Sequence, residues 1–252
     1  MKRLIIDVKD VSKTYPKEIR ITSQPALQNL SLRLYKGETV GLIGANGAGK
    51  STTIKLLLDF IRPNQGKILL FDSQPSSSHL RARLGYLPEI ANFPSNLSIL
   101  NLLRYTAATC GMSTAQFNER SYHLLNMLEL WKVRCNRLGT YSKGMQQRAN
   151  FAVALINDPE LLILDEPMSG LDPMGRQKII DLIYSLKDDG KTILFCSHIL
   201  EDVDRLVDKV LLLHKGRKVF YGTPDELTNQ EDESSFADAF VSRVRSEEKK
   251  SA

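Results

Sequence analysis

The segment GANGAGKST, Gly44–Thr52, has the residue types and spacing of a phosphate-binding loop, G-x-x-x-x-G-K-[ST], with Gly44, Gly49, Lys50 and Ser51 at the pattern positions. Glycines let such a loop curl until successive backbone N–H groups point at phosphate oxygens, and a following helix adds its positive N-terminal dipole. Gly44, Ala45, Asn46, Gly47, Ala48, Gly49, Lys50, Ser51 and Thr52 are therefore the candidate phosphate cradle. Within it Lys50 has the reach for β- and γ-phosphates, and the Ser51 hydroxyl is a candidate Mg²⁺ ligand. A second acidic site follows downstream. In LLILDEP, Leu161–Pro167, four apolar residues deliver Asp165 and Glu166. Asp165 is the candidate metal holder and Glu166 the candidate group to orient and deprotonate a water. His198, closing TILFCSH (Thr192–His198), is a candidate donor to the γ-phosphate or a structural histidine.

Three apolar runs must position these groups. ETVGLIG (Glu38–Gly44), LLILDEP and TILFCSH read as buried strands of a largely parallel sheet, whose ligands gather at the strands' C-terminal ends. Helical patterns at Lys50–Phe60, Gln146–Asn157, Gly175–Lys187 and Leu200–Val207 alternate with them, which predicts an α/β domain. At the N-terminus LIIDVKDVSKTY and LQNLSLRLYKGE alternate apolar and polar residues, as antiparallel edge strands do. The region from about Pro88 to Leu138 lacks strand signals and reads as helices over Ile99–Cys110 and Thr114–Leu130, an inserted helical subdomain. After Leu227 the chain becomes polar. It contains a short amphipathic piece, FADAFVSRV, and RSEEKKSA (Arg245–Ala252) is expected to be disordered.

Composition narrows the function classes. The net charge of +5 over 252 residues is compatible with anionic ligands or a membrane surface and too weak to argue for nucleic acid. The 3 cysteines, Cys110, Cys135 and Cys196, have neither zinc nor CxxC spacing and read as reduced, structural thiols. The N-terminus is not a signal peptide, and no apolar run approaches the ~18 residues of a membrane helix. YSKGMQQR, Tyr141–Arg148, stands at a predicted helix start, where Ser142 and Gly144 suit either a cap or an anion site. Asp172, in SGLDP, reads by itself as a cap or turn residue.

In this order, GANGAGKST, YSKGMQQR, LLILDEP, SGLD and SH resemble the motifs of the nucleotide-binding subunit of ABC transporters, from about Leu4 to Leu227. The resemblance implies a P-loop NTPase core with a mixed, largely parallel sheet, an N-terminal antiparallel β subdomain and the helical insertion at about 88–138. Residues 1–227 would then form the ATPase domain and 228–252 a C-terminal tail. It further implies ATP and Mg²⁺ as cofactors and a head-to-tail dimer, of identical chains or with a second ATPase subunit. In that dimer Ser142 and Gly144 bind the partner's ATP and Asp172 belongs to the dimer's D-loop. Tyr15, in SKTYP, matches the aromatic that stacks on adenine; the alternative is a tyrosine of an edge-strand core. An integral-membrane permease is the implied partner, with the chain peripheral on the cytoplasmic membrane face and no direct nucleic acid. The tail SSFADAF is similar to the exporter branch.

Four residues depart from the family pattern, Tyr141 at the leucine position of the signature among them. Lys143 replaces a glycine and Met145 a glutamine of L-S-G-G-Q, and Glu89 stands where a glutamine is usual. As a carboxylate, Glu89 meets Mg²⁺ or water without donating a hydrogen bond, or is a solvated loop acid. Ile90, Phe93, Leu97 and Ile99 are either a docking groove for the permease or subdomain core. The competing function is a soluble clamp on DNA or ribosomes. The relatives of that kind carry long heptads, tandem ATPase domains or cysteine-rich zinc modules, and this chain has none of these.

Overall fold

A computed structural model describes residues 2–15 and 25–251. Of the segment Pro16–Pro25, to which the sequence assigns no role, residues 16–24 lie outside the described residues. The chain divides into two compact units, residues 1–77 with 192–252, and residues 78–191.

The first unit holds two sheets. In the smaller, β1 (Leu4–Lys13) pairs antiparallel with β2 (Leu27–Tyr35) on one side and β4 (Gln65–Leu70) on the other. The alternation in LIIDVKDVSKTY predicts an edge strand, yet β1 is central. The difference arises from β4, whose first three residues, Gln65–Lys67, are exposed and polar and leave too short an apolar run to read as a strand. The larger sheet is built on β3 (Thr39–Ile43), parallel to β7 (Thr192–Cys196) on one side and to β8 (Lys209–His214) on the other. Every residue of β3 and β7 is buried, which accounts for their unbroken apolar sequences. β9 (Arg217–Gly222) closes the sheet antiparallel to β8 through a turn at Lys215 and Gly216, φ 45° and 78°. Positive φ at both turn residues matches the right-handed twist of the strands they join.

Helices α1 (Lys50–Leu57), α6 (Leu200–Leu206), α7 (Pro224–Glu231) and α8 (Phe236–Ser251) complete this unit. Thr223 caps α7 in a capping box with Glu226. The disorder expected from Arg245 onward is not what the structure has, because α8 continues to Ser251. Phe236 and Ala239 are buried, and Arg243 pairs with Glu231 and lies over the Phe220 ring, so tertiary contacts hold a helix whose polar composition alone would not.

The second unit contains parallel strands β5 (Leu84–Leu87) and β6 (Leu161–Asp165) and helices α2 (Ile99–Thr109), α3 (Thr114–Met127), α4 (Lys143–Leu155) and α5 (Pro173–Asp188). Ser98, Ser113, Ser142 and Asp172 cap them in turn. α4 packs on β5, α2 and α3. Among the apolar residues after Glu89, Ile99 is fully buried and belongs to the core, Phe93 and Leu97 are half-buried, and Ile90 is 69% exposed. Cys110, Cys135 and Cys196 form no disulfide. No helix among the described residues is long and apolar enough to cross a membrane.

Candidate functional site

In the first unit, β3 drives the chain into the loop at Gly44, and α1 begins at Lys50. Two of its glycines are required by close approach. A methyl at Gly44, φ 150°, would sit 2.3 Å from the Leu213 carbonyl oxygen. One at Gly49, φ 112°, would sit 2.7 Å from Leu27 Cδ2 and 2.8 Å from the Ala26 carbonyl oxygen. The loop is thus pressed onto β2 and β8 from beneath, and the Gly216 N–H donates to the Ala48 carbonyl at 3.0 Å. Its other side is open: Ala45, Asn46 and Gly47 are exposed, and nothing lies within 4 Å of where a Gly47 methyl would be.

The cap residue of α1 is Gly49, which has no side chain to satisfy the first N–H groups, and the first turn carries no acid. Those donors and the helix dipole form an anion site. Lys50 folds over it, its ammonium donating to the carbonyls of Gly44 (2.6 Å) and Ala45 (3.2 Å). Ser51 is exposed at the same helix end. Thr52 lies 3.4 Å, oxygen to oxygen, from the Tyr15 hydroxyl. The Tyr15 ring, 41% exposed, stands beside the loop with the Lys13 ammonium 5.7 Å from its centroid. At that exposure Tyr15 is not a buried core residue. His198 reaches the same sheet edge: Leu42 of β3 pairs with Cys196 of β7, which brings His198 level with Gly44. Buried Ser197 shapes that exit by accepting from the Ile199 N–H at 3.1 Å.

The second unit gathers the remaining candidates. Leu87 of β5 is in register with Leu164 of β6, so the chain leaves both strands together and Glu89 is level with Glu166. Glu89 is exposed, and Asp165 and Glu166 are half-buried. Glu166 has φ 49°, a left-handed conformation that costs a residue with a side chain about 1–2 kcal/mol and marks an imposed geometry. Its carbonyl accepts from the Ser169 N–H at 3.0 Å and starts the turn through Gly170 to Asp172. Asp172 caps α5, accepting from the Gly175 N–H at 2.7 Å.

Ser142 is the cap of α4, its hydroxyl accepting from the Met145 N–H at 3.3 Å. Tyr141, in place of the family's leucine, is buried and donates its hydroxyl to the Val133 carbonyl at 2.9 Å. Burial raises its phenol above the ordinary range, with the nearby Cys135 adding to the effect. Gly144 differs from Gly44 and Gly49, which close contacts require, and from Gly47, whose φ is 79°. Nothing lies within 4 Å of where its methyl would be, so no contact inside the chain requires a glycine there. The N-terminus of α4 and the turn before α5 face a cleft of about 500 Å³ lined by Ser142, Gly144, Arg148, Gly170, Asp172 and Lys178.

Several contacts of this unit are not legible in the sequence. The Lys143 ammonium lies 1.7 Å from where a methyl on Gly170 would be, so this exposed side chain lies over that turn. Glu129 accepts from Lys178 and Arg148, and the Lys178 hydrogen bond first and then the two positive charges hold its carboxyl below the usual range. Gln147 donates its side-chain amide to the Pro167 carbonyl, and Asn150 donates to the Pro88 carbonyl at 3.0 Å. Their sequence signal was two amides three residues apart on the otherwise apolar buried face of α4.

A loop pressed on a parallel strand, opening into a helix with bare N–H groups and a folded-back lysine, defines a P-loop nucleotide-binding protein. The particular family follows from comparison. Residues 27–169 match the ABC transporter family model. An ABC transporter ATP-binding protein of Nostoc sp. is 43% identical over 82% of this chain and 62% of its own length, and one of Synechocystis sp. is 37% identical over 90% and 65%. This chain therefore spans less than two thirds of those two relatives. A fluoroquinolones export ATP-binding protein of Mycobacterium tuberculosis is 38% identical over 88% of this chain and 72% of its own length. Among solved structures, an ATP-binding subunit of an ABC transporter superposes with a TM-score of 0.86 at 32% identity, covering 95% of this chain and 99% of that one. A dimeric ATP-binding cassette in a post-hydrolysis state, bound to ADP and Pi, superposes with a TM-score of 0.78 at 25% identity, covering 87% and 98%. The chain belongs to the ABC transporter family and has its P-loop NTPase fold.

Proposed function

We propose that this chain is the ATP-hydrolysing subunit of an exporter, working as a head-to-tail dimer, of identical chains or with a paralogous subunit, beneath a separately encoded membrane permease. Residues 1–227 act as the ATPase domain, with the helical insertion at about 88–138, and 228–252 as its tail. Gly44–Thr52 hold the phosphates of the chain's own ATP, Lys50 leaves the Gly44 and Ala45 carbonyls for the β- and γ-phosphates, and Tyr15 stacks on the base. Mg²⁺ supplies neutralisation of the developing phosphate charge when bound. Magnesium usually takes one or two protein ligands beside phosphate and water, and Ser51, Asp165 and Glu89 are the candidates for that role. Glu166 accepts the proton of the attacking water and His198 donates to the γ-phosphate.

Ser142, Gly144 and the α4 N-terminus receive the γ-phosphate of the partner's ATP, with Asp172 at the same interface. The observation that carries the dimer reading is Gly144, a glycine for which the chain itself has no steric use. Export is supported by relatives named for it, including Nod factor export and fluoroquinolones export proteins. Ile90, the most exposed of Ile90, Phe93, Leu97 and Ile99, and half-buried Phe93 are the candidate contacts with the permease on the cytoplasmic membrane face. Co-purification of tagged Glu166→Gln protein from native membranes with MgATP tests the reading. A stoichiometric polytopic membrane protein is the expected result; ribosomes or DNA in its place would overturn it.

A further inference from the structure

We propose that Gln147 and Asn150 form a clasp that positions Glu166 and Glu89 for hydrolysis, and that this clasp carries the contact with the partner's nucleotide to them. The inference rests on the ATPase reading above and concerns residues that reading does not use. Both side chains project from α4, three residues apart and so on one face. Gln147 is 8% and Asn150 2% exposed. Gln147 Nε2 donates to the carbonyl of Pro167, the residue after Glu166, and Asn150 Nδ2 donates to the carbonyl of Pro88, the residue before Glu89. A carbonyl only accepts, so the orientation of each amide is set by its partner.

These bonds do more than fill space. Burying an amide is unfavourable unless it finds a partner, and a leucine at either position would occupy similar space without that demand. The amides are therefore suited to where they point, which is the exit of each strand. The backbone at Glu166 points the same way. A left-handed residue ahead of a proline persists only where its surroundings over-determine it, and the Gln147 bond fixes the peptide immediately beyond it. The same helix begins at Ser142, and Gln147 is about 7 Å further along its axis. A rigid rod thus joins the residues that meet the partner's ATP to the base that acts on the chain's own.

The experiment compares steady-state ATP hydrolysis by the full chain and by Gln147→Leu, Asn150→Leu and Gln147→Glu. If the clasp positions the base, Gln147→Leu lowers kcat by about 10- to 100-fold while KM stays within about twofold. Binding of a fluorescent ATP analogue is unchanged, and Glu166→Gln/Gln147→Leu protein still dimerises with ATP. Gln147→Glu separates positioning from folding, because a buried carboxyl donates to the Pro167 carbonyl only while protonated. Its kcat relative to the unmodified chain recovers as pH falls from about 8 towards 6, whereas the ratio for Gln147→Leu stays flat. Hydrolysis by Gln147→Leu within about twofold of the unmodified chain overturns the clasp, as does a Gln147→Glu ratio with no pH-dependent recovery. Absence of Lys50-dependent hydrolysis in the unmodified chain would instead remove the ATPase reading, and the clasp with it.

Discussion

Replacing Gly144 separates what the chain needs from what its partner needs, with opposite signs. A methyl at Gly144 meets nothing within 4 Å, and the residue sits in the first turn of α4 with no left-handed φ. Under those conditions glycine to alanine removes unfolded-state entropy and stabilises by about 0.4–1 kcal/mol. For a chain of this length that is a rise in Tm of roughly 1–4 °C. Gly144→Asp adds a carboxylate at a helix N-terminus, worth about 0.3–1 kcal/mol of further stabilisation. If the α4 N-terminus receives the partner's triphosphate, both variants obstruct it, the alanine by bulk and the aspartate by bulk and charge. Thermal unfolding of the nucleotide-free protein, followed by circular dichroism, reads the first effect. Light scattering of the Glu166→Gln protein with ATP, with and without each substitution, reads the second. The expected result is equal or higher Tm together with loss of the ATP-dependent dimer, more severe for aspartate. A Tm lowered by several degrees would show that the chain itself requires the glycine. An undiminished dimer in both variants would refute the use of α4 as the trans-phosphate site.

Other outcomes follow from the same geometry. Lys50→Ala removes the side chain folded over the phosphate loop and is expected to abolish hydrolysis; near-normal turnover in a coupled phosphate-release assay would remove the loop from the mechanism. Mixing Ser142→Arg with Lys50→Ala chains is expected to restore one working site per heterodimer, and no recovery among mixed dimers shown to form would count against sharing in trans. Tyr221→Phe strips the Arg33 carbonyl of a 2.6 Å hydrogen bond and is expected to cost about 0.5–1.5 kcal/mol, read as a lower denaturation midpoint in urea. Burial alone would raise the Asp158 carboxyl, but hydrogen bonds and charges from Lys191 and Arg120 hold it below its ordinary value. A depressed carboxyl contributes stability that is complete above its unfolded pKa of about 4 and is lost as pH falls through the folded value. Asp158→Asn should therefore flatten the acid limb of stability against pH, and an unchanged limb would refute the pair's contribution.

Much of the site was legible because it lies along short, contiguous segments. GANGAGKST, LLILDEP and TILFCSH each carry their strand and their chemistry in one run, since a strand buried on both faces must be apolar throughout and its end must be where polar residues begin. Ser142 and Asp172 were legible as caps for a local reason as well, because a cap bonds to an N–H three residues on. The β8–β9 hairpin went unread although its turn, Lys215–Gly216, stands between two apolar runs, because lysine is an uncommon signal of positive φ. β4 went unread for a different reason. Its exposed polar half is a strand only because β1 offers hydrogen bonds to it.

By itself, the sequence determined the family, the phosphate loop, the acidic strand end and the helix starts, all properties of residues within a few positions of one another. Tertiary structure decided the roles that depend on distant partners. It ordered the polar tail into α8 by docking Phe236 and Ala239, and made β1 central by pairing it on both edges. Likewise, tertiary contact laid Lys143 over Gly170 and aimed Gln147 and Asn150 at carbonyls 20 and 62 positions away. A buried amide's function is the identity of the group it bonds, and only the folded chain brings that group within reach.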